Sequence, residues 1–183
     1  WGNNESQYYT DRTENIRVED GKLIIKALKE DCYGSSYTSS RIKTKQSWKY
    51  GRFEIRAKLP RGVGTWAAFW GLPTDWKYGN WPNSGEIDIL EHVGFEEGHI
   101  VSSVHNIAHH GDLSNSDQTK YVVTENVVDC FNDYILEWNE KEIKTYINDK
   151  LIFSYPKNNQ PWERWPFDEK FHFIFNIAIG GNW

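Results

Sequence analysis

Gly85-Glu86-Ile87-Asp88-Ile89-Leu90-Glu91-His92 holds three acids within six residues, interleaved with β-branched and aliphatic side chains. Such a composition favours a strand. Strand side chains alternate between faces, so Glu86 and Asp88 share one face while Ile87 and Ile89 share the other. Strict alternation would send Glu91 to the aliphatic side, where an unpartnered charge is very costly. One extra residue, a β-bulge around Ile89-Leu90, returns Glu91 to the face of Glu86. Glu86 and Glu91 then lie about four strand steps apart, roughly 13 Å between Cα atoms. Leaning side chains can bring the two carboxyl groups to ~5–6 Å, a spacing that suits one acid as nucleophile and the other as acid/base. Asp88 sits between them. Three like charges on one face cannot all ionise cheaply, so at least one pKa should rise, as a general acid requires near neutral pH. The same acids are also compatible with a solvated strand or a calcium site, because clustered carboxylate oxygens suit that ion.

Short strand-like runs separated by turn signals continue on both sides. Upstream, Ile16–Val18 and Lys22–Leu28 flank a hairpin signal at Asp20-Gly21. Gly51–Leu59 alternates Phe53, Ile55, Ala57 and Leu59 with Arg52, Glu54, Arg56 and Lys58, which predicts one dry and one wet face. Downstream, Tyr134–Trp138, Ile143–Ile147 and Leu151–Tyr155 read as a meander with a turn at Asn148-Asp149, and Phe171–Ile179 as a buried strand ending at Gly180-Gly181. The stretches Asp75–Ser84 and His109–Gln118 read as loops. No segment carries a helical stripe of useful length, so the fold class is all-β, a sandwich or barrel.

The 183 residues suggest one domain. A net charge of −5 argues against binding nucleic acid by phosphate neutralisation, and against an anionic membrane surface. No apolar run approaches the ~20 residues of a transmembrane helix. Two cysteines, Cys32 and Cys130, are too few for a disulfide framework and are read as more often free than paired. The ten tryptophans include Trp66, Trp70, Trp76 and Trp81 upstream of the acids. Flat aromatic faces suit sugar rings, and indole N–H groups donate hydrogen bonds. Trp66 and Trp70, four apart in a strand-like run, share one face, which is either cleft or core.

Trp81-Pro82-Asn83-Ser84 followed by Gly85–His92 resembles the signature of glycoside hydrolase family 16. The six-residue Glu-Ile-Asp-Ile-Leu-Glu form is similar to the laminarinase branch, the endo-β-1,3-glucanases. Trp1–Glu5, Gln7–Thr10, Tyr37–Ile42, Tyr50–Glu54, Thr65–Pro73 and Asn176–Trp183 also match in order, so the resemblance spans essentially the whole chain. It implies a β-jelly-roll sandwich of two curved antiparallel sheets, concanavalin A-like, with a sugar cleft on the concave face. It further implies Glu86 as nucleophile, Glu91 as acid/base and Asp88 as the residue that tunes them, in a retaining double displacement without a cofactor. Sugar contacts carry over to Trp81, Trp70, Arg41 and His105, and more weakly to Trp66 and Asn4. Arg41 has a surface arginine as its plain reading, and His105 a backbone-bonded core histidine.

The resemblance also implies further strands before Trp1 and one after Trp183. With no methionine in the sequence, residues 1–183 are therefore expected to be a single catalytic domain truncated at both ends. The calcium site of many relatives draws on those ends, so structural calcium stays open. Asn4-Glu5-Ser6 is a glycosylation sequon; a glycan there would obstruct a cleft that used Asn4. A secreted bacterial monomer acting on a polysaccharide is the expected setting, extracellular or periplasmic, with no nucleic-acid or membrane partner. The rival readings are a non-catalytic glucan-binding module, a relative acting on agar, carrageenan, porphyran or xyloglucan, and an inactive truncated product.

Overall fold

The computed structural model describes residues 2–111, 120–123 and 126–183. Most of the loop predicted at 109–118 lies outside these residues. The described residues form strands and no helix. In chain order the first strands are β1 (Gln7–Tyr9), β2 (Ile16–Glu19), β3 (Lys22–Ile25), β4 (Leu28–Cys32), β5 (Ser35–Ser39) and β6 (Arg41–Lys43). There follow β7 (Gly51–Ala57), β8 (Thr65–Pro73), β9 (Glu86–Val93), β10 (His99–His105) and β11 (Lys120–Val123). The last are β12 (Asn132–Trp138), β13 (Glu142–Ile147), β14 (Lys150–Pro156) and β15 (Phe171–Ile179).

Two antiparallel sheets make the jelly-roll sandwich. One has the order β11-β10-β9-β8-β15-β6, the other β14-β13-β12-β7. The predicted meander is β12-β13-β14, and Phe171–Ile179 is β15. Two smaller sheets flank the pair, the hairpin β2-β3 and a sheet β1-β5-β4. Within the latter β1 and β5 run parallel, a departure from the all-antiparallel expectation. The predicted hairpin at Asp20-Gly21 is present, and both turn residues have positive φ, 50° and 71°. That geometry matches the twist of the two strands it joins.

Between the large sheets lies an aromatic and aliphatic core. Phe69, Ile87, Leu90, Ile100, Val104 and Phe173 from one sheet meet Tyr134, Leu136, Trp138, Ile143 and Phe153 from the other. Burying each such side chain stabilises the fold by ~1.5–3 kcal/mol. Alternation then decides the second face of the six-stranded sheet. On β8, Ala67 and Phe69 are buried in the core, so Trp66, Ala68 and Trp70 face the opposite way. The two tryptophans are therefore on the cleft side. The predicted wet face of β7 is also observed. Arg56 and Arg52 sit opposite Asp133 and Glu137 of β12, with ion pairs at 3.0 and 3.5 Å.

Cys32 and Cys130 are both free thiols.

Candidate active site

The bulge is visible in the strand register. Trp70 pairs with Asp88 and the next residue back, Phe69, pairs with Leu90, leaving Ile89 as the extra residue of β9. The same slip occurs against β10, where Ser103 pairs with Asp88 but Val101 with Glu91. Ile89 and Leu90 are both buried, while Glu91 aligns with Ala68 on the cleft side and His92 returns to the interior. The two-residue period explains Glu86 and Asp88; the inserted residue explains Glu91. Gly85 sets the entry into this strand. Its φ is +87°, and a Cβ there would come within 2.8 Å of Phe167 and 2.9 Å of Pro166. Only glycine meets both conditions without strain.

A cavity of about 340 Å³ opens on this face. Its wall includes Glu86, Asp88 and Glu91 together with Trp66, Trp70, Trp81 and Arg41. Trp81 Nε1 donates to Glu86 Oε2 at 2.8 Å, and Trp66 Nε1 donates to Glu91 Oε1 at 3.0 Å. Each glutamate thus has its own indole donor. The Arg41 guanidinium lies over the Trp70 ring, 4.6 Å from its centroid, and Trp70 Nε1 donates to Asn176 Oδ1 at 2.8 Å. Asn176 in turn donates to Tyr9 Oη at 3.1 Å.

Asn4 and His105 take other places. The cavity wall runs through Gly2, Asn3 and Glu5 but not through Asn4. Asn4 has φ 56°, and its amide donates to Asn182 Oδ1 at 3.0 Å. That hydrogen bond ties Asn4 to the segment that follows β15. His105, at the end of β10, pairs across the strands with Glu86 and so stands beside the acids, outside the cavity wall. Its Nε2 lies 3.0 Å from Asp88 Oδ2 and 4.0 Å from Glu86 Oε1. The amide of Gly111 donates to its Nδ1 at 3.2 Å, so the neutral ring carries its proton on Nε2, facing Asp88. Ser103 Oγ also donates to Asp88 Oδ2, at 2.9 Å.

Tyr9, Asn176, Glu5 and Ser103 also line or hold this site without being candidates on sequence grounds, and Trp76, in the sequence an aromatic near the acids, is in the wall. Ser103 was within reach of the period-two rule, since it shares a strand face with His105. Tyr9 and Asn176 are far apart in sequence and meet through strand pairing, which leaves no local signal.

Electrostatics follow from this packing. Burial pushes Glu86 well above the usual carboxylate range, and the charge of Asp88 and a hydrogen bond with it push the same way. Burial and Asp88 likewise raise Glu91, to about 8, against the opposing effects of His105 and the Trp66 N–H. For His105, burial favours the neutral ring, but the hydrogen bond and charge of Asp88, with Glu86 and Glu91, outweigh it and lift its pKa to about 9. The Gly111 amide aimed at Nδ1 favours the neutral ring. In either form Nε2 carries the proton that Asp88 accepts. Glu86, Asp88 and His105 also offer three ligand atoms within 4.8 Å of one another. With Nε2 protonated and Nδ1 accepting from Gly111, His105 presents no lone pair to a metal.

Three crowded acids among indole donors, on one face of a β-sandwich, define a carbohydrate-cleaving hydrolase. The chain belongs to the Glycosyl hydrolases family 16, which it matches over residues 3–183. It is 46% identical to a beta-glucanase of Rhodothermus marinus, with 100% of this chain and 67% of that protein covered. It is 39% identical to glucan endo-1,3-beta-glucosidase A1 of Niallia circulans, covering 100% of this chain and 29% of that protein. Among solved structures, the laminarinase from Rhodothermus marinus superposes with a TM-score of 0.95 at 45% identity, over 100% of this chain and 76% of that one. The chain thus spans from 29% to 76% of the length of these similar proteins.

Proposed function

We propose that the chain is an endo-acting, retaining hydrolase of β-1,3-glucan or mixed β-1,3/1,4-glucan. The observation that carries this reading is the bulge at Ile89, which gathers Glu86, Asp88 and Glu91 in one tryptophan-lined cavity. Glu86 is the nucleophile. It attacks as the carboxylate, the form that the Trp81 N–H and the nearby His105 favour against the burial and the Asp88 charge that raise its pKa. Glu91, raised to about 8, keeps its proton at neutral pH and delivers it to the departing glycosidic oxygen. It then takes a proton from the water that releases the glycosyl-enzyme intermediate. Asp88, held by Ser103 and His105, sits between the two, keeps Glu86 in place and shares proton traffic with Glu91.

The similarity to a beta-glucanase and a glucan endo-1,3-beta-glucosidase supports a β-glucan as substrate. The chemistry needs only carboxyl groups and water, so no cofactor is assigned. A secreted monomer suits a polymer too large to enter a cell. The non-catalytic module is disfavoured, because such a module has no use for a buried Asp88 flanked by two half-buried glutamates, all crowded on one face.

The deciding experiment is reducing-sugar release from laminarin by this chain beside Glu86→Gln, with near-UV circular dichroism of both. Release abolished in a folded variant establishes the reading. Equal release by both, or none by a folded wild-type chain on any β-glucan, overturns it.

A further inference from the structure

A second cavity, of about 830 Å³, adjoins the acid-lined one and shares Tyr9 and Arg41 with it. Its wall carries Tyr8 and Tyr33, whose rings lie 4.9 Å apart between centroids and are tilted by 44°. Tyr33 is 87% exposed and Tyr8 41%. Tyr33 therefore contributes little to the core, and most of its ring is open to a ligand.

The backbone beneath Tyr33 is unusual. Cys32 pairs with Ser35, so Tyr33-Gly34 is the two-residue loop of the β4–β5 hairpin. Both residues have positive φ, 47° and 85°. The first position of such a turn favours Asn, Asp or Gly, and a bulky aromatic is sterically disfavoured there. Folding alone gives no reason for a tyrosine at this tip. A broad aromatic surface, with Asp11 and Arg12 in the same wall, has the mixed apolar and hydrogen-bonding character that a hexopyranose ring requires.

We propose that Tyr33, backed by Tyr8, is an additional sugar platform. It extends the glucan groove past Arg41 and binds a glucosyl unit remote from the bond being cut. The inference rests on the β-glucan reading above. The two cavities lie side by side, walled in common by Tyr9 and Arg41, and this adjacency points to the same chain that crosses the acids as the occupant.

Tyr33→Asn tests this while keeping the chemistry the turn prefers. The quantity to measure is kcat/KM on polymeric laminarin divided by kcat/KM on a β-1,3-linked trisaccharide. The ratio should fall roughly three- to tenfold in the variant, the range of one aromatic contact, with an equal or higher Tm. Tyr33→Phe, which keeps the ring, should restore it. Tyr33→Gly, equally suited to the turn, serves if the asparagine variant folds poorly. A folded variant with an unchanged ratio, or with equal loss on both substrates, overturns the platform. A wild-type chain inactive on every β-glucan sinks the functional reading and this proposal with it, a result distinct from an active enzyme indifferent to Tyr33.

Discussion

β7 and β9 are both strands in which charged residues alternate with apolar ones, yet they behave in opposite ways. On β7, Arg52 and Arg56 look into solvent and meet Glu137 and Asp133 across the ladder. Exposed pairs of this kind contribute ~0–1 kcal/mol. On β9 the charges are three acids, sheltered from water, with a histidine as their nearby cationic partner. The first arrangement makes a soluble surface. The second raises two carboxyl pKa values and so creates a proton donor for neutral pH. A charged strand becomes a reactive one when burial is added without matching opposite charge.

The largest expected effect is at Glu91. Glu91→Gln should lower kcat/KM by ~10²–10⁴-fold, because the proton donor is lost while the shape remains. In the wild type, activity should fall above pH about 8 as Glu91 loses its proton. That alkaline limb should be absent from any residual activity of the variant, and a pH–rate profile of both checks this.

A smaller effect, on the scaffold of the same strand, concerns Gly85→Ala. The positive φ and the collision with Phe167 and Pro166 should cost more than ~2 kcal/mol. Urea denaturation measures the loss, and an unchanged midpoint would show that the entry to β9 tolerates a side chain.

The third prediction uses stability against pH. Glu91 has a folded pKa of about 8, above its unfolded value, so the folded state holds the extra proton between pH ~4.5 and 8. Stability should therefore fall as pH rises through that window. His105, raised to about 9, stabilises fully below pH ~6.5 and loses that contribution as pH climbs towards 9, in the same direction. Glu91→Gln should flatten the decline and be the more stable protein at pH 8, by ~1–2 kcal/mol. Thermal melts of both proteins from pH 5 to pH 8 would show it. A variant less stable than wild type at pH 8 would mean that the acids on β9 are compensated as well as the arginines on β7.

The smallest effect belongs to β7. Arg56→Gln should change stability by no more than ~0.5 kcal/mol at moderate salt, and less as salt is added. A larger change would remove the contrast between the two strands.

Much of this was legible in the residues. Alternation defines the strand class, and the charge of Glu91 by itself demands a bulge. Both inferences work because a strand's faces are set by local geometry with a period of two. The same reasoning left Trp66 and Trp70 undecided between core and cleft. They shared a face, but which face was inside depended on where β12 and β13 packed.

The sequence by itself determined that the chain is all-β, that three acids share one face and that a sugar-like ligand suits its aromatics. Tertiary structure decided which nitrogen meets which carboxylate, that Asn4 bonds to Asn182, that His105 stands beside the acids on the next strand, and that Tyr9 and Asn176 join the wall. The physical reason is range. Strand alternation and bulges act over a few residues, whereas burial, hydrogen-bond partners and pKa depend on segments brought together from opposite ends of the chain.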